Sequence, residues 1–177
     1  MLTPKDDTVI RPTTDFIREA LFNILSTDIV GAIVLDLFGG TGALSLESMS
    51  RGAKSVTVCD KAKESLDLIR KNAQALGETL EICQGDYDPV LKRLAGRQYD
   101  IVFLDPPYKM EIAPVLACLA QRGLVAPTGL VVYEHDKSNE YTPSDPWDRV
   151  DERHYGRVAL TFLTIKTASL SDDMQER

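Results

Sequence analysis

Residues 32–53 read "AIVLDLFGGTGALSLESMSRGA", and the chain changes character twice within them. The run from Ala32 to Phe38 is apolar except for Asp36 and has the look of a buried strand. Glycines then stand at 39, 40 and 42, and "ALSLESMSRGA" reads as a helix that Gly52 stops. Strand, glycine turn and helix make the opening unit of an open α/β sheet. In such a sheet the glycines let the backbone turn tightly and come close to a ligand seated at a helix N-terminus.

Downstream the unit repeats. "SVTVCD" (55–60) is a strand, and Ala62, Leu66, Ile69, Ala73 and Leu76 then line one helical face until Gly77. "LEICQGD" (80–86) is a third strand, followed by a short helix around "PVLKRLA" (89–95). "YDIVFLD" (99–105) is a fourth, and a helix carrying Ile112, Val115, Leu116 and Leu119 runs to Gly123. "GLVVYEH" (129–135) is a fifth.

Upstream, "TDFIREALFNIL" (14–25) sets Ile17, Ala20, Leu21, Ile24 and Leu25 on one face of an amphipathic helix, with Thr13 or Thr14 as its N-cap. After the fifth strand, "DKSNEYTPSDPWD" (136–148) has the composition of a surface loop. "RVDERHYGRVALTFLTIK" (149–166) folds into two strand-like pieces about a Tyr-Gly turn. Strands apolar enough to be buried on both faces, alternating with helices, predict a parallel sheet with helices on each side. The expected fold is α/β: a Rossmann-like, doubly wound sheet of about seven strands, mostly parallel, closed by a C-terminal antiparallel hairpin. It is expected as one domain over residues 1–177, with flexible ends at 1–10 and 169–177.

Composition narrows the class. An apolar fraction of 44% and a charged fraction of 27% are those of a globular protein. The longest apolar runs, such as "IVFL" and "GLVVY", fall far short of a membrane span, and the acids in "MLTPKDDTVIRP" argue against a secretory signal. The expectation is a cytoplasmic protein without a membrane partner. Cys59, Cys83 and Cys118 are odd in number and far apart, which predicts core residues rather than a zinc site or disulfides. A net charge of −7 means that any nucleic acid must meet a local basic patch. Two groups are available: Arg11, Arg18, Arg51 and Lys54, then Arg149, Arg153, His154 and Arg157. A solvated charged face is the more ordinary account of either group, and RNA contact the alternative.

Acids at the ends of strands suggest what the glycine turn holds. Asp60 closes the second strand 20 residues after Gly40, where an open α/β sheet commonly places the acceptor for a ribose diol. Both NAD and S-adenosylmethionine carry that diol. Asp36, just before the glycines, tells them apart: a carboxylate there repels a pyrophosphate and attracts a cationic sulfonium cofactor with its ammonium group. A turn or capping role is the alternative for Asp36. Asp86, after the third strand, suits an adenine amino group or a plain turn.

The fourth strand ends in Asp105-Pro-Pro-Tyr108, where a second substrate would meet the cofactor. Pro106 and Pro107 lack N–H donors, so the rim offers acceptors only, which suits an amine. The Asp105 carboxylate and the Pro106 carbonyl can hold that amine with its lone pair toward a methyl sulfonium, and Asp105 can help take the surplus proton. Tyr108 can stack on a flat base flipped out of any helix. Adenine, cytosine, guanine and a protein glutamine all present such a nitrogen.

The order "RPTTDFIREALFNIL", "VLDLFGGTGALSLESMSRGA", "DIVFLDPPY" and "YGRVALTFL" resembles the RsmD family of S-adenosylmethionine-dependent methyltransferases, from about Arg11 to Leu163. The resemblance implies methyl transfer to N2 of a guanine in bacterial small-subunit (16S) ribosomal RNA. It implies a cofactor site made of Arg11, Thr13, Asp36, Phe38, Gly39, Gly40, Gly42, Asp60, Lys61 and Asp86. Asp105, Pro106 and Tyr108 are then catalytic, and Pro107, Tyr108 and Arg18 touch substrate. No metal is implied. The implied partner of a monomer is ribosomal RNA or the assembling small subunit. Members of that family begin with a basic segment of the type Gly-x-x-Arg-Gly-Arg; here "MLTPKDDTVI" precedes Arg11, so fewer RNA contacts are expected from this end. The family's Ala-Gly-Ser-Gly turn is Gly39-Gly40-Thr41-Gly42 here.

Overall fold

The computed structural model describes residues 14–139 and 141–166. Short runs of Val, Ile and Leu form the strands β1 (Ile33–Asp36), β2 (Ser55–Asp60), β3 (Glu81–Gln84) and β4 (Tyr99–Leu104). The chain ends in β5 (Val125–Asp136), β6 (Trp147–Tyr155) and β7 (Val158–Ile165). Helices are α1 (Thr14–Ile24), α2 (Ala43–Ser50), α3 (Lys63–Leu76), α4 (Tyr87–Arg93) and α5 (Ala113–Gln121). The seven strands form one sheet in the order β3-β2-β1-β4-β5-β7-β6. β1 to β5 run parallel, and β7 inserts antiparallel between β5 and β6. The expected mostly parallel sheet with a terminal hairpin is the observed one.

Both faces are covered. Ile17, Leu21, Phe22 and Leu25 on and just after α1 pack on Val34, Ile101, Phe103 and Val132, while Leu66 and Ile69 of α3 pack on Val58. On the other face Val90 and Leu91 of α4 and Val115, Leu116 and Leu119 of α5 cover Leu35, Val102, Leu104 and Val131. Chain order runs outward from β1 to β3 and then returns to β4 on the other side of β1. That reversal opens a crevice beyond the carboxyl ends of β1 and β4, where open α/β sheets bind ligands. Among the described residues no helix is long and apolar enough to cross a membrane.

Several positions depart from expectation. The buried stripe near α1 is Ile17, Leu21, Leu25 and Ile29 at i+4 intervals with Phe22 beside it; Ile24 is exposed. On α3, Asn72, three residues after Ile69, is buried although it is outside the expected stripe, and Leu76, expected in the stripe, is exposed. β5 starts at Val125, four residues early. Cys59 is buried, but Cys83 and Cys118 are only half-buried. Trp147, assigned to a surface loop, is buried: its ring joins the cluster under α5 and its Nε1–H donates to the Leu116 carbonyl at 3.3 Å. The loop composition is real up to Pro146, and the chain's one tryptophan ends it by finding a pocket with an acceptor.

Candidate active site

Three turns meet at the crevice. After β1 the chain passes through Leu37, Phe38 and the glycine turn; after β2 come Asp60 and Lys61; after β4 comes Asp105-Pro106-Pro107-Tyr108. With Gly85, Asp86, Tyr87, Met110 and Glu134 they line a cleft of about 460 Å³.

Each glycine of the turn has its own reason. Gly40 and Gly42 have φ of +53° and +79°, the left-handed region that favours glycine. At Gly39 the constraint is packing, since a Cβ there would stand 2.4 Å from Val58 Cγ2 and 3.1 Å from Ile69 Cδ1. Gly39 therefore sits against β2 and α3 rather than against a ligand. Gly39→Ala is expected to lose about 1–3 kcal/mol of stability in denaturant unfolding by overpacking. Val58→Ala in the same chain should make the double variant less destabilised than the sum of the single ones.

The turn's N–H groups are taken up inside the protein. Gly39 N–H donates to the Cys59 carbonyl at 2.8 Å, Gly42 N–H to the Gly39 carbonyl at 2.7 Å, and Gly40 N–H to Asp60 Oδ2 at 2.9 Å. Asp60 Oδ1 accepts from Ala62 N–H at 2.8 Å. A pyrophosphate would need those donors. The Asp60 carboxylate is instead fixed from behind by two backbone amides, and its remaining lone pairs are available to hydroxyl donors in the cleft it lines. Asn72, buried on α3, braces the turn by donating to the Thr41 carbonyl at 3.1 Å.

Asp36 lies beneath the turn at 1% exposure. Ser45 Oγ donates to its Oδ2 at 2.7 Å, and among the described residues its Oδ1 has no hydrogen-bond partner. Burial pushes its pKa up to about 7, with smaller contributions in the same direction from the negative charges of Asp105 and Asp60; the Ser45 hydrogen bond opposes them. A buried carboxylate oxygen without a donor is costly. A positive ligand group would relieve that cost.

The second half of the cleft is the Asp105–Tyr108 turn. Pro107's carbonyl accepts from Met110 N–H at 2.8 Å and closes the turn, and the Tyr108 side chain is 62% exposed. Asp86 is the residue before α4, makes no side-chain capping bond, and lines the cleft.

The cleft thus gathers Phe38, Gly40, Asp60, Lys61, Asp86, Asp105, Pro106, Pro107 and Tyr108 of the residues singled out from sequence. Gly39 and Gly42 shape the turn behind it, with Gly42 against Ile69. Arg11 and Thr13 lie outside the described residues. Arg18 is not in the cleft: its guanidinium pairs with Asp15 at 3.0 Å and Glu47 at 3.9 Å. Other basic residues are also paired with acids, Arg51 with Glu47, Arg149 and His154 with Glu152, and Arg153 with Asp151. Sequence reasoning missed Leu37, Gly85, Tyr87, Met110 and Glu134. Glu134 had a signal, for it follows the apolar run of the fifth strand just as Asp36, Asp60 and Asp105 end theirs.

A family model described as Conserved hypothetical protein 95 matches residues 1–164. Ribosomal RNA small subunit methyltransferase D of Escherichia coli (strain K12) is 34% identical over 171 residues, covering 94% of this chain and 85% of that one. The protein of the same name from Haemophilus influenzae is 32% identical over 155 residues, covering 85% and 80%. Among solved structures, a putative methyltransferase from Escherichia coli superposes with a TM-score of 0.79 at 31% identity, covering 90% of this chain and 89% of that one. With the family model matching nearly the whole chain and relatives above 30% identity covering most of it, the chain belongs to the RsmD family of methyltransferases.

Proposed function

We propose that this enzyme transfers a methyl group from S-adenosylmethionine to the exocyclic N2 of a guanine in small-subunit ribosomal RNA. One observation carries the reading: a cleft lined by Asp60 and by the acceptor-only rim Asp105-Pro-Pro-Tyr108 lies over the buried Asp36, whose Oδ1 has no hydrogen-bond partner among the described residues. The ribosomal substrate is supported by the names of the relatives.

The residues fit the cofactor. Asp36 answers its positive end, Asp60 accepts from its ribose hydroxyls, and Phe38, Lys61, Asp86 and Tyr87 line the path between and around them. When bound, the cofactor supplies an electrophilic methyl group on a sulfonium. The chain's own part is to present a poor nucleophile well. A base amine has its lone pair delocalised into the ring, so the Asp105 carboxylate and the Pro106 carbonyl accept its two N–H bonds and turn the lone pair toward the methyl group. As the N–C bond forms the amine becomes acidic, and Asp105 lies where its proton leaves. Tyr108 covers the flat face of the base, a contact worth roughly 1–3 kcal/mol per base.

The test is transfer of tritiated methyl groups to small subunits, their RNA, and DNA from a methylation-deficient source, followed by nucleoside analysis. Label in N2-methylguanosine is expected. Label only in DNA, in N6-methyladenosine or in protein overturns the reading. Asp60→Ala is expected to weaken cofactor binding about tenfold or more in calorimetry, because hydrogen bonds to a charged acceptor are lost. Its turnover at saturating cofactor should stay close to that of the native enzyme.

A further inference from the structure

The acceptor rim has a second carboxylate that the mechanism above does not use. β4 and β5 pair in parallel with Leu104 opposite Tyr133, so the next residues, Asp105 and Glu134, leave that pair side by side at the edge of the crevice. Along β5, Val131 and Tyr133 face α4 and α5 while Val132 faces α1; alternation therefore puts Glu134 on the α1 side. Glu134 lines the main cleft, and it also lines a smaller pocket of about 30 Å³ continuous with Asp105, Pro106, Pro107 and Tyr108. The two acids thus share both cavities. Each has an interaction within the protein as well, and a carboxylate with about four lone-pair sites keeps acceptor capacity beyond that.

The chemistry of the bases decides what such a pair accepts. Guanine presents two adjacent donors, N1–H and N2–H2. Adenine presents N6–H2 beside the N1 lone pair, and cytosine N4–H2 beside the N3 lone pair. A rim that holds an amine with one carboxylate and sets another next to it pairs with guanine and repels the lone pair of either other base.

We infer that Glu134 is the specificity-determining residue, accepting from guanine N1–H while Asp105 holds N2. This rests on the guanine-N2 reading above and explains why that nitrogen is chosen. Glu134 contributes to the choice of base; the proton from N2 goes to Asp105 or solvent as before.

The experiment places 2-aminopurine at the methylated position, once located, in otherwise unchanged RNA presented as the RNA or subunit that is methylated. This base keeps the N2 amine and replaces N1–H with a lone pair. The native enzyme is expected to show a kcat/KM for guanine about 10–100-fold above that for 2-aminopurine, the factor for one discriminating polar contact. In Glu134→Ala the guanine rate should fall and the ratio approach one. Glu134→Gln, which keeps a carbonyl acceptor, should retain part of the preference. Cofactor affinity, measured on the same variants, should match the native enzyme and so report an intact fold. A ratio unchanged in Glu134→Ala overturns the inference while leaving guanine methylation standing. Failure of the native enzyme to methylate guanine at all overturns the underlying reading instead.

Discussion

Asp105→Ala is expected to lower the rate of methyl transfer at saturating substrates by about 10²–10⁴-fold, the range typical of losing a positioned acid–base group. Cofactor affinity should stay within a few-fold. The side chain is exposed at the rim of the cleft, outside all three core clusters, so truncation removes an acceptor without opening a cavity. Two effects are lost together: the bond that orients the amine, and the acceptor for its proton. Asp105→Asn separates them, because the amide oxygen can still accept from the amine and cannot take up the proton. Single-turnover transfer with labelled cofactor is the measurement, and calorimetry supplies the binding control. Activity preserved at saturation alongside lost cofactor binding would move Asp105 from the chemistry to the cofactor site.

Much of this was legible because period and punctuation agree. β2 is bounded in sequence as in the structure, since "SVTVCD" starts after a glycine-bearing turn and stops at an acid before a helix. The sheet order followed from the alternation of strand and helix. The departures come from side chains whose placement depends on distant partners. Trp147 is buried by α5, about 30 residues away, and nothing in "PSDPWD" announces that pocket. Asn72 is a polar residue on a buried face because the Thr41 carbonyl, across the turn, offers it an acceptor.

The site was legible to the extent that it is built from strand ends. Asp36 and Asp60 close their strands and Asp105 and Asp86 follow theirs closely; Asp60, Asp86 and Asp105 line the cleft, and Asp36 is buried beneath it. In β5 the acid that lines the cleft is Glu134, the first after the apolar run, although the strand itself runs on to Asp136. Asp60's dual role was not legible: its carboxylate holds the glycine turn through Gly40 N–H, so the turn and the acid form one device. Nor did the sequence show that Arg18, Arg51, Arg149 and Arg153 are drawn to nearby acids. That pairing is a matter of which surfaces the helices and the hairpin present to one another.

Cofactor binding should strengthen with pH, and Asp36 is the cause. Its carboxyl is raised from an ordinary 3.8 to about 7, because burial disfavours the charged form and Asp60 and Asp105 add negative potential. Between those two values the native state holds a proton that the unfolded chain has released, so native stability falls as pH rises from about 4 to 7. A cationic ligand reverses the preference by stabilising the ionised form. Below pH 7 binding must then expel the proton, and affinity should rise nearly tenfold per pH unit, about 100-fold from pH 5 to pH 8. Calorimetry in two buffers of different ionisation enthalpy should show release of close to one proton near pH 5 and little near pH 8. The ligand's α-ammonium titrates near the usual α-amino value of about 8 and would weaken binding on the alkaline side only. Asp36→Asn separates the two, since the amide can keep the Ser45 bond but cannot titrate: its acid limb should be flat and its stability free of the slope between pH 4 and 7. Affinity in the native protein that is independent of pH from 5 to 7, or proton uptake on binding, would place the cofactor's positive end away from Asp36.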